Sequence, residues 1–136
     1  LGAIHAINTS KASRQGRPMN KRYIDYPLLF QAVPYTVHYG CFLDHRLVAY
    51  AQGIHLNHLL VINTVIGHGD HLTYGVMNQL ISFMVQQSVD NADIQYINYL
   101  TVAPKSKGGL SLFKRSVGFR PHSCFFRVNK DCERVS

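Results

Sequence analysis

The chain has 136 residues and a formal net charge of +7; 46% of its residues are hydrophobic and 15% are charged. That length is typical of one domain with a real core, and the composition excludes a wholly disordered chain. No apolar run approaches the ~18 residues that a membrane span needs, so we predict no membrane-spanning segment. The cysteines are Cys41, Cys124 and Cys132. Their odd number favours a reducing cytoplasm over a disulfide framework.

Charge is distributed unevenly, with net charges of +4 over residues 1–25, −3 over 26–103 and +6 over 104–136. Basic ends favour anionic partners such as nucleic acid or a phosphate-rich cofactor, although a solubility charge without a partner explains them as well. The chain begins at Leu1 rather than methionine, which leaves open whether a further segment precedes it. We predict a single domain over 1–136 that can be incomplete at its N terminus.

The first half of the chain predicts short helices followed by strands. Residues 8–25 are polar and basic, with capping residues ahead of a weak helical pattern that Gly16 and Pro18 interrupt, which predicts two short helical pieces or a helix and a loop. The β-branched and aromatic residues of 36–43 and 46–55 predict a hairpin across an Asp44-His45 turn. The near-continuous apolar run over 59–66 predicts a strand that is covered on both faces.

The second half predicts a loop, a long helix and further alternating elements. A glycine-bearing loop over 67–75 leads into a helix over 76–89, whose apolar residues recur at spacings of three and four. The predicted buried stripe comprises Val76, Leu80, Phe83 and Met84, widened by Met77 and Ile81. The order then continues with a strand over 94–102, a helix over 110–117, a strand over 119–128 and a tail over 129–136.

This order of elements resembles the GNAT superfamily of N-acyltransferases. The most specific local match is Leu110–Pro121, in which an aromatic-containing helix runs into Gly118-Phe119. The resemblance covers 36–128 and implies an α/β (α+β) domain with a mixed, mostly antiparallel central sheet flanked by helices. It also implies that 1–35 forms a helical segment on the acceptor side of a cleft and that 36–128 carries the sheet and the cofactor loop.

The resemblance assigns the loop over 67–75 to the pyrophosphate of acetyl-CoA or another acyl-CoA. A loop entering a helix offers unpaired N–H groups and the positive end of the helix dipole, and glycines let a phosphate approach the backbone. A plain strand-to-helix turn explains the glycines as well. The predicted cofactor-binding residues are Gly67, His68, Gly69, Thr73, Tyr74, Gly75 and Lys114, with Lys105, Lys107 and Arg115 as further phosphate contacts.

Catalytic and substrate-binding candidates follow from side-chain chemistry. His55 and His68 are the candidates for taking the amine proton, because an imidazole titrates near neutral pH. The substrate-binding candidates are Arg14, Arg17, Arg22 and Tyr99. Guanidinium groups pair well with carboxylate or phosphate, although a solvated helix face is the simpler account of any one arginine. No metal site is predicted, because the closely spaced histidines lie in turns and loops.

The resulting hypothesis is transfer of an acyl group from acyl-CoA to a small-molecule or peptide amine. Asp70 and Thr73 depart from the family's loop pattern, and Phe113 stands where many members carry a proton-donating tyrosine. These departures keep two alternatives open. One is a catalytically degenerate GNAT-like module that binds an anion or nucleic acid, and the other is an aminoacyl-tRNA-dependent transferase of the same fold.

Overall fold

The computed structural model describes residues 2–14, 16–25, 33–100 and 108–123. The first half contains helix α1 (Gly2–Thr9), strands β1 (Ser13–Arg14) and β2 (Arg17–Pro18), helix α2 (Lys21–Ile24), and strands β3 (Thr36–Leu43), β4 (Arg46–Leu56) and β5 (Leu59–Gly67). The second half contains a 3-10 helix (Gly69–Tyr74), helix α3 (Val76–Val89), strand β6 (Tyr96–Asn98) and helix α4 (Gly109–Ser116). None of these helices is long and apolar enough to cross a membrane.

A four-stranded sheet in the order β3-β4-β5-β6 organises the fold. Its strands pair antiparallel except for the parallel pair β5-β6. Asp44 and His45, at the tip of the first hairpin, have positive φ angles of 46° and 62°. Two such residues match a tight turn to the twist of its strands. The predicted hairpin and the predicted mixed, mainly antiparallel sheet are therefore confirmed.

Strand β5 leaves β6 soon after the two strands meet. Their pairing runs from Leu59 opposite Tyr96 to Val61 opposite Asn98, and no later pair is formed within the described residues. On its other side, β5 carries a β-bulge, because the register against β4 jumps and leaves Asn63 as the extra residue. The second half of β5 therefore presents an edge that no described strand covers.

Helices pack on both faces of the sheet. Helix α3 covers one face and α1 the other. The larger core lies under α3, and a smaller one on the α1 face contains Ile7, Tyr50 and Ile66. The larger core includes Val48, Ala49, Ala51, Leu60, Ile62, Val76, Leu80, Ile81, Met84 and Tyr99. This arrangement leaves the diverging edge of β5 between the two covered faces.

The sequence-based boundaries need three corrections. The interruption predicted at Gly16 and Pro18 is a two-stranded turn, in which Gly16 has a positive φ of 74°, and the helical pieces on either side are α1, which already ends at Thr9, and the one-turn helix α2. The strand predicted over 94–102 is limited to Tyr96–Asn98, and the positive φ of 49° at Leu100 is not that of extended backbone. Residues 119–123 form no strand. The rest of that predicted strand and the tail lie outside the described residues.

Candidate functional site

A cleft of about 270 Å³ lies beside the uncovered edge of β5. The segment between α1 and β1 forms one wall, the 3-10 helix with the start of α3 forms another, and the start of α4 closes the third side. Its lining residues are Lys11, Ser13, Arg14, Val65, Leu72, Met77, Gly109, Leu110 and Phe113. The cleft thus combines apolar side chains with two cations.

A second depression, of about 240 Å³, lies between β3 and α3. It is lined by Gly40, Cys41, Phe42, Gln79, Leu80 and Phe83. None of these residues carries a charge at neutral pH, and the depression opens onto the side of α3 rather than its N-terminus. The cleft beside β5 is therefore the better candidate for a site that binds an anionic ligand.

The N-terminus of α3 lies between the lining residues Leu72 and Met77 in sequence and has no side-chain cap. Gly75 has a φ of 70°, its N–H donates to the carbonyl of Leu72 at 3.2 Å, and its carbonyl accepts from Gln79 at 3.0 Å. The first N–H groups of an α-helix, here those of residues 76–78, have no intrahelical acceptor. A Cβ atom at Gly75 would meet nothing within 4 Å. This turn therefore offers free donors and open space, as phosphate binding requires.

The other two glycines of the loop serve close packing. A Cβ atom at Gly67 would lie 2.9 Å from the Leu72 side chain, and one at Gly69 would lie 2.9 Å from the Lys11 side chain. The N–H of Gly69 already donates to the Ser10 hydroxyl at 2.8 Å. Of the three glycines predicted to approach a phosphate, only Gly75 stands beside free donors; Gly67 and Gly69 bring the walls of the site together.

The Ser10 hydroxyl joins two walls of the cleft. It donates to the carbonyl of Ile7 at 2.6 Å, and it accepts from the Gly69 N–H and from the Arg14 guanidinium at 3.2 Å. The hydroxyl has one donor hydrogen and two acceptor lone pairs, and these three hydrogen bonds use all of them. The sequence did not indicate this role for Ser10. Gly69 is 59 residues away and Arg14 is four residues away, and nothing in the local pattern marks either contact.

Replacement of Ser10 by alanine is expected to destabilise the fold by about 1–2 kcal/mol, since the partly buried Gly69 N–H then loses its acceptor. Urea unfolding measures the effect. Thr9→Ala is the control, because the Thr9 hydroxyl bonds only to carbonyls of its own helix and is exposed. Equal losses in the two variants would show that Ser10 does not join the walls.

His68 caps the 3-10 helix. Its Nδ1 accepts the Asp70 N–H at 3.3 Å, which requires the neutral ring to carry its proton on Nε2. The Asp70 carboxylate lies 3.8 Å from the same nitrogen and can pair with it only when the imidazole is protonated. Tyr74 and Thr73 are exposed on the following turn. The structure thus brings His68, Thr73, Tyr74 and Gly75 together in one loop, and their functional roles stay predictions.

His55 lies at the opposite end of the sheet from that loop. It pairs with Leu60 near the second hairpin turn, whereas Ala49 of β4 pairs with Gly67 at the loop. Six residues of strand separate these positions, or about 20 Å at the usual rise. His55 is not among the residues that line the cleft. The two predicted catalytic histidines are therefore not in one site.

Of the three arginines predicted to bind substrate, one lies in the cleft and two lie outside it. Arg14 lines the cleft, and its guanidinium donates to the Ile7 carbonyl at 2.9 Å and to Ser10. Arg22 is exposed on α2 and lies against the Tyr23 ring, 4.9 Å from its centroid. Arg17 is exposed on β2, and neither Arg17 nor Arg22 lines the cleft. Arg14 is thus the only one of the three that the structure brings to the site.

Tyr99 and Lys114, predicted for separate roles, contact each other in the core. Tyr99 is 8% exposed, and burial raises the pKa of its hydroxyl to about 12. The Lys114 ammonium donates to the Tyr99 carbonyl at 2.5 Å, and burial lowers its pKa. Neither side chain lines the cleft, so the structure does not bring the predicted substrate-binding Tyr99 or the predicted cofactor-binding Lys114 to the site. The contact ties α4 to the chain just past β6. Lys105 and Lys107 lie outside the described residues.

Several lining residues were not candidates from the sequence. Lys11 had no special signal beyond its place in a basic segment. Leu72, Met77 and Leu110 read as ordinary apolar residues, because sequence spacing cannot show which side of an element faces an opening. Among the described residues, no group of histidine, cysteine or acidic side chains is arranged to hold a metal ion.

Comparison with known proteins identifies the fold. No family model and no curated protein matches the sequence. The ribosomal-protein-S18-alanine N-acetyltransferase from Escherichia coli matches with a TM-score of 0.65 and 10% identity, over 90% of this chain and 72% of that chain. A putative acetyltransferase from Agrobacterium tumefaciens matches with a TM-score of 0.65 and 12% identity, over 95% and 92%. An aminoglycoside N-acetyltransferase in complex with CoA matches with a TM-score of 0.53 and 12% identity, over 74% and 79%. This chain therefore has the GNAT fold, in a sequence far diverged from those of the solved structures.

Proposed function

We propose that the protein transfers an acyl group from acyl-CoA to an amine. The observation that carries this proposal is the cleft beside the diverging strands β5 and β6, with the uncapped N-terminus of α3 next to it. The fold is that of N-acetyltransferases, and one similar protein is solved with CoA. Fold likeness by itself does not assign a reaction, so the proposal depends on the chemistry of the cleft.

The residues around the cleft fit acyl-CoA in chemical character. The free N–H groups of residues 76–78 and the ammonium of Lys11 suit a pyrophosphate. Apolar side chains suit the thioester arm and exclude water from it; they are Val65, Leu72, Met77, Leu110 and Phe113. When bound, acyl-CoA supplies an activated carbonyl carbon for attack by an amine.

The chain's own contribution is mainly to position the reactants. Among the described residues that line the cleft, none is a histidine or a carboxylate. Holding an amine against the acyl group lowers the barrier without a base on the protein, and water can take the proton. The predicted role of His68 as proton acceptor stays open, because its ring stands in the adjacent loop.

Thermal unfolding with acetyl-CoA tests this proposal. Ligand at ~100 times its dissociation constant adds about 2.7 kcal/mol to the free energy of unfolding, which raises the midpoint by several degrees. Acetyl-CoA and CoA are expected to produce this shift. Pantetheine is the control, because it lacks the pyrophosphate and is expected to produce little shift. No shift with either CoA compound would contradict the proposal.

Release of the CoA thiol in the presence of amines separates transfer from binding alone. An acyltransferase is expected to accelerate thiol release when a suitable amine is added. A shift with acetyl-CoA but no release with any amine would favour the degenerate binding module. A shift with neither compound, together with steeply salt-dependent binding to RNA, would favour nucleic-acid binding.

A further inference from the structure

Arg14 is a partly buried cation that has no acidic partner among the described residues. Among the described residues the only ion pair joins His68 to Asp70, so no carboxylate faces the Arg14 guanidinium. Its Nε atom is buried and has no hydrogen-bond acceptor. Buried polar groups and charges normally have partners, because an unpaired one pays a desolvation cost without compensation. Among the described residues, the cleft wall therefore contains a cation whose charge no anion neutralises.

The orientation of this guanidinium is fixed by the protein. One of its terminal nitrogens donates to the Ile7 carbonyl at 2.9 Å and to the Ser10 hydroxyl at 3.2 Å. Both acceptors are uncharged, so these bonds hold the group in place without neutralising it. Burial lowers the pKa of Arg14, but an arginine stays charged at any ordinary pH. A ligand that offers a carboxylate finds a donor group already positioned.

Arg14 lies on a different side of the sheet from the open helix terminus. Its partner Ile7 packs with Tyr50 and Ile66 on the α1 face, and Arg14 interacts electrostatically with Tyr50. The start of α3 belongs to the opposite face, where Met77 packs against the larger core. The free N–H groups of α3 and the Arg14 guanidinium therefore approach the cleft from two faces. If the pyrophosphate of the acyl donor binds the N–H groups of α3, the Arg14 guanidinium remains free to bind the acceptor.

We propose that the acceptor is an amine that also carries a carboxylate and that Arg14 binds this carboxylate in the cleft. The inference rests on the proposed acyl transfer and adds the class of acceptor. Free amino acids and short peptides with a free N-terminus and C-terminus belong to this class. Charge-assisted bonds from a guanidinium are among the stronger hydrogen bonds, so the carboxylate sets selectivity between otherwise similar amines.

Matched acceptor pairs test the inference. The common L-amino acids and their C-terminal amides are supplied with acetyl-CoA, and thiol release gives kcat/KM for each member. The amine of an amide is less basic than that of the free acid, so intrinsic reactivity at neutral pH favours the amide. We nevertheless expect the free acids to be preferred about 10- to 100-fold, as one charged hydrogen-bonding partner implies. Equal use, or preference for the amides, would overturn the inference.

Variants at Arg14 identify the group responsible. Arg14→Gln is expected to abolish the preference for acids, and Arg14→Lys to retain part of it, because lysine keeps the charge but not the planar donor geometry. Arg17→Gln, which changes an exposed arginine outside the cleft, is the matched control and should keep the full preference. Thermal midpoints without ligand identify any variant that has lost its fold. An unchanged preference in a folded Arg14→Gln variant would overturn the inference.

Binding without turnover provides an independent measurement. It distinguishes an acceptor carboxylate from a donor phosphate as the anion that Arg14 binds. N-acetylglycine and N-acetylglycinamide are titrated into the CoA-bound protein, and only the acid should raise the thermal midpoint. Arg14→Gln should remove that shift and leave CoA affinity unchanged. Weaker CoA binding by Arg14→Gln would assign Arg14 to a donor phosphate and overturn the inference. Absence of any CoA binding by the wild-type protein would instead reject the proposed function itself.

Discussion

Replacement of Gly75 by aspartate is expected to abolish the stabilisation that acetyl-CoA gives to the wild-type protein. The turn at Gly75 leads into α3, whose first N–H groups have no side-chain cap. An aspartate there places a carboxylate in space that is open within 4 Å of the Cβ position. The carboxylate repels a pyrophosphate and competes for the same donors, and each lost or opposed charged contact costs 1.5–3 kcal/mol, or roughly tenfold to a hundredfold in affinity.

The chain offers a closely matched control at Gly16. Gly16 has a φ of 74° against 70° for Gly75, and a Cβ atom there also meets nothing within 4 Å. Both aspartates therefore incur a similar backbone cost, about 1–2 kcal/mol for a side chain in the left-handed region. Without ligand, Gly75→Asp should lose no more stability than Gly16→Asp, because a carboxylate at the N-terminus of α3 interacts favourably with the helix dipole. With acetyl-CoA, only Gly16→Asp should regain stability, and a full shift in Gly75→Asp would remove the pyrophosphate from this loop.

Local patterns were sufficient to predict the elements that bound the cleft. Helix α3 has the predicted bounds of 76–89, because its apolar spacing begins directly after Gly75 and ends at polar residues. The strands β3, β4 and β5 were predicted to within a residue, since β-branched and aromatic content separates them clearly from the intervening turns. These elements depend on interactions close in sequence or on burial of one face, which a sequence displays directly.

The same patterns failed where a distant contact decides the structure. Strand β6 is short because β5 and the chain after Asn98 diverge, and no local signal marks that divergence. Tyr99 was predicted to bind substrate from its place on the strand after α3, although the sequence does not show whether its side chain is buried. In the structure its carbonyl accepts from Lys114 and its ring packs against Phe119, with centroids 5.6 Å apart. The exposure of a side chain beyond the end of a strand depends on tertiary packing.

In the candidate site too, local patterns identified some residues, and distant contacts placed others that the sequence did not indicate. The loop before α3 was identified from its glycines and from the strand-to-helix context. In the opposite wall, Arg14 was a candidate because of its charge, but Lys11 and Ser13 were not. The contact that brings this wall to the loop joins Ser10 to Gly69 across 59 residues, which no local pattern displays. Asp70, expected to repel phosphate, has a side chain that is 83% exposed and lies 3.8 Å from His68. Solvent screens that charge, so its effect on an anion in the cleft is smaller than the sequence suggested.

Helix α3 provides the second large expected effect, in a pair of adjacent residues that the sequence did not distinguish. Met84 is fully buried and Phe83 is 53% exposed, although both belong to the predicted stripe. At 100° per residue, Phe83 lies about 100° from the centre of the buried face of α3, which comprises Val76, Leu80, Ile81, Met84 and Ser88. Its ring lies edge-on to that of Tyr39 on the edge strand β3, with 6.3 Å between the centroids.

Met84→Ala is therefore expected to lower the free energy of unfolding by about 2–5 kcal/mol, because it removes buried surface and leaves a cavity under the sheet. Phe83→Ala removes a larger side chain but is expected to cost only about 1 kcal/mol, since that ring is largely solvated already. Urea unfolding measures both. A reversed order would mean that α3 is rotated on the sheet, and because the Met77 side chain turns with the helix, it would also move a lining residue out of the cleft.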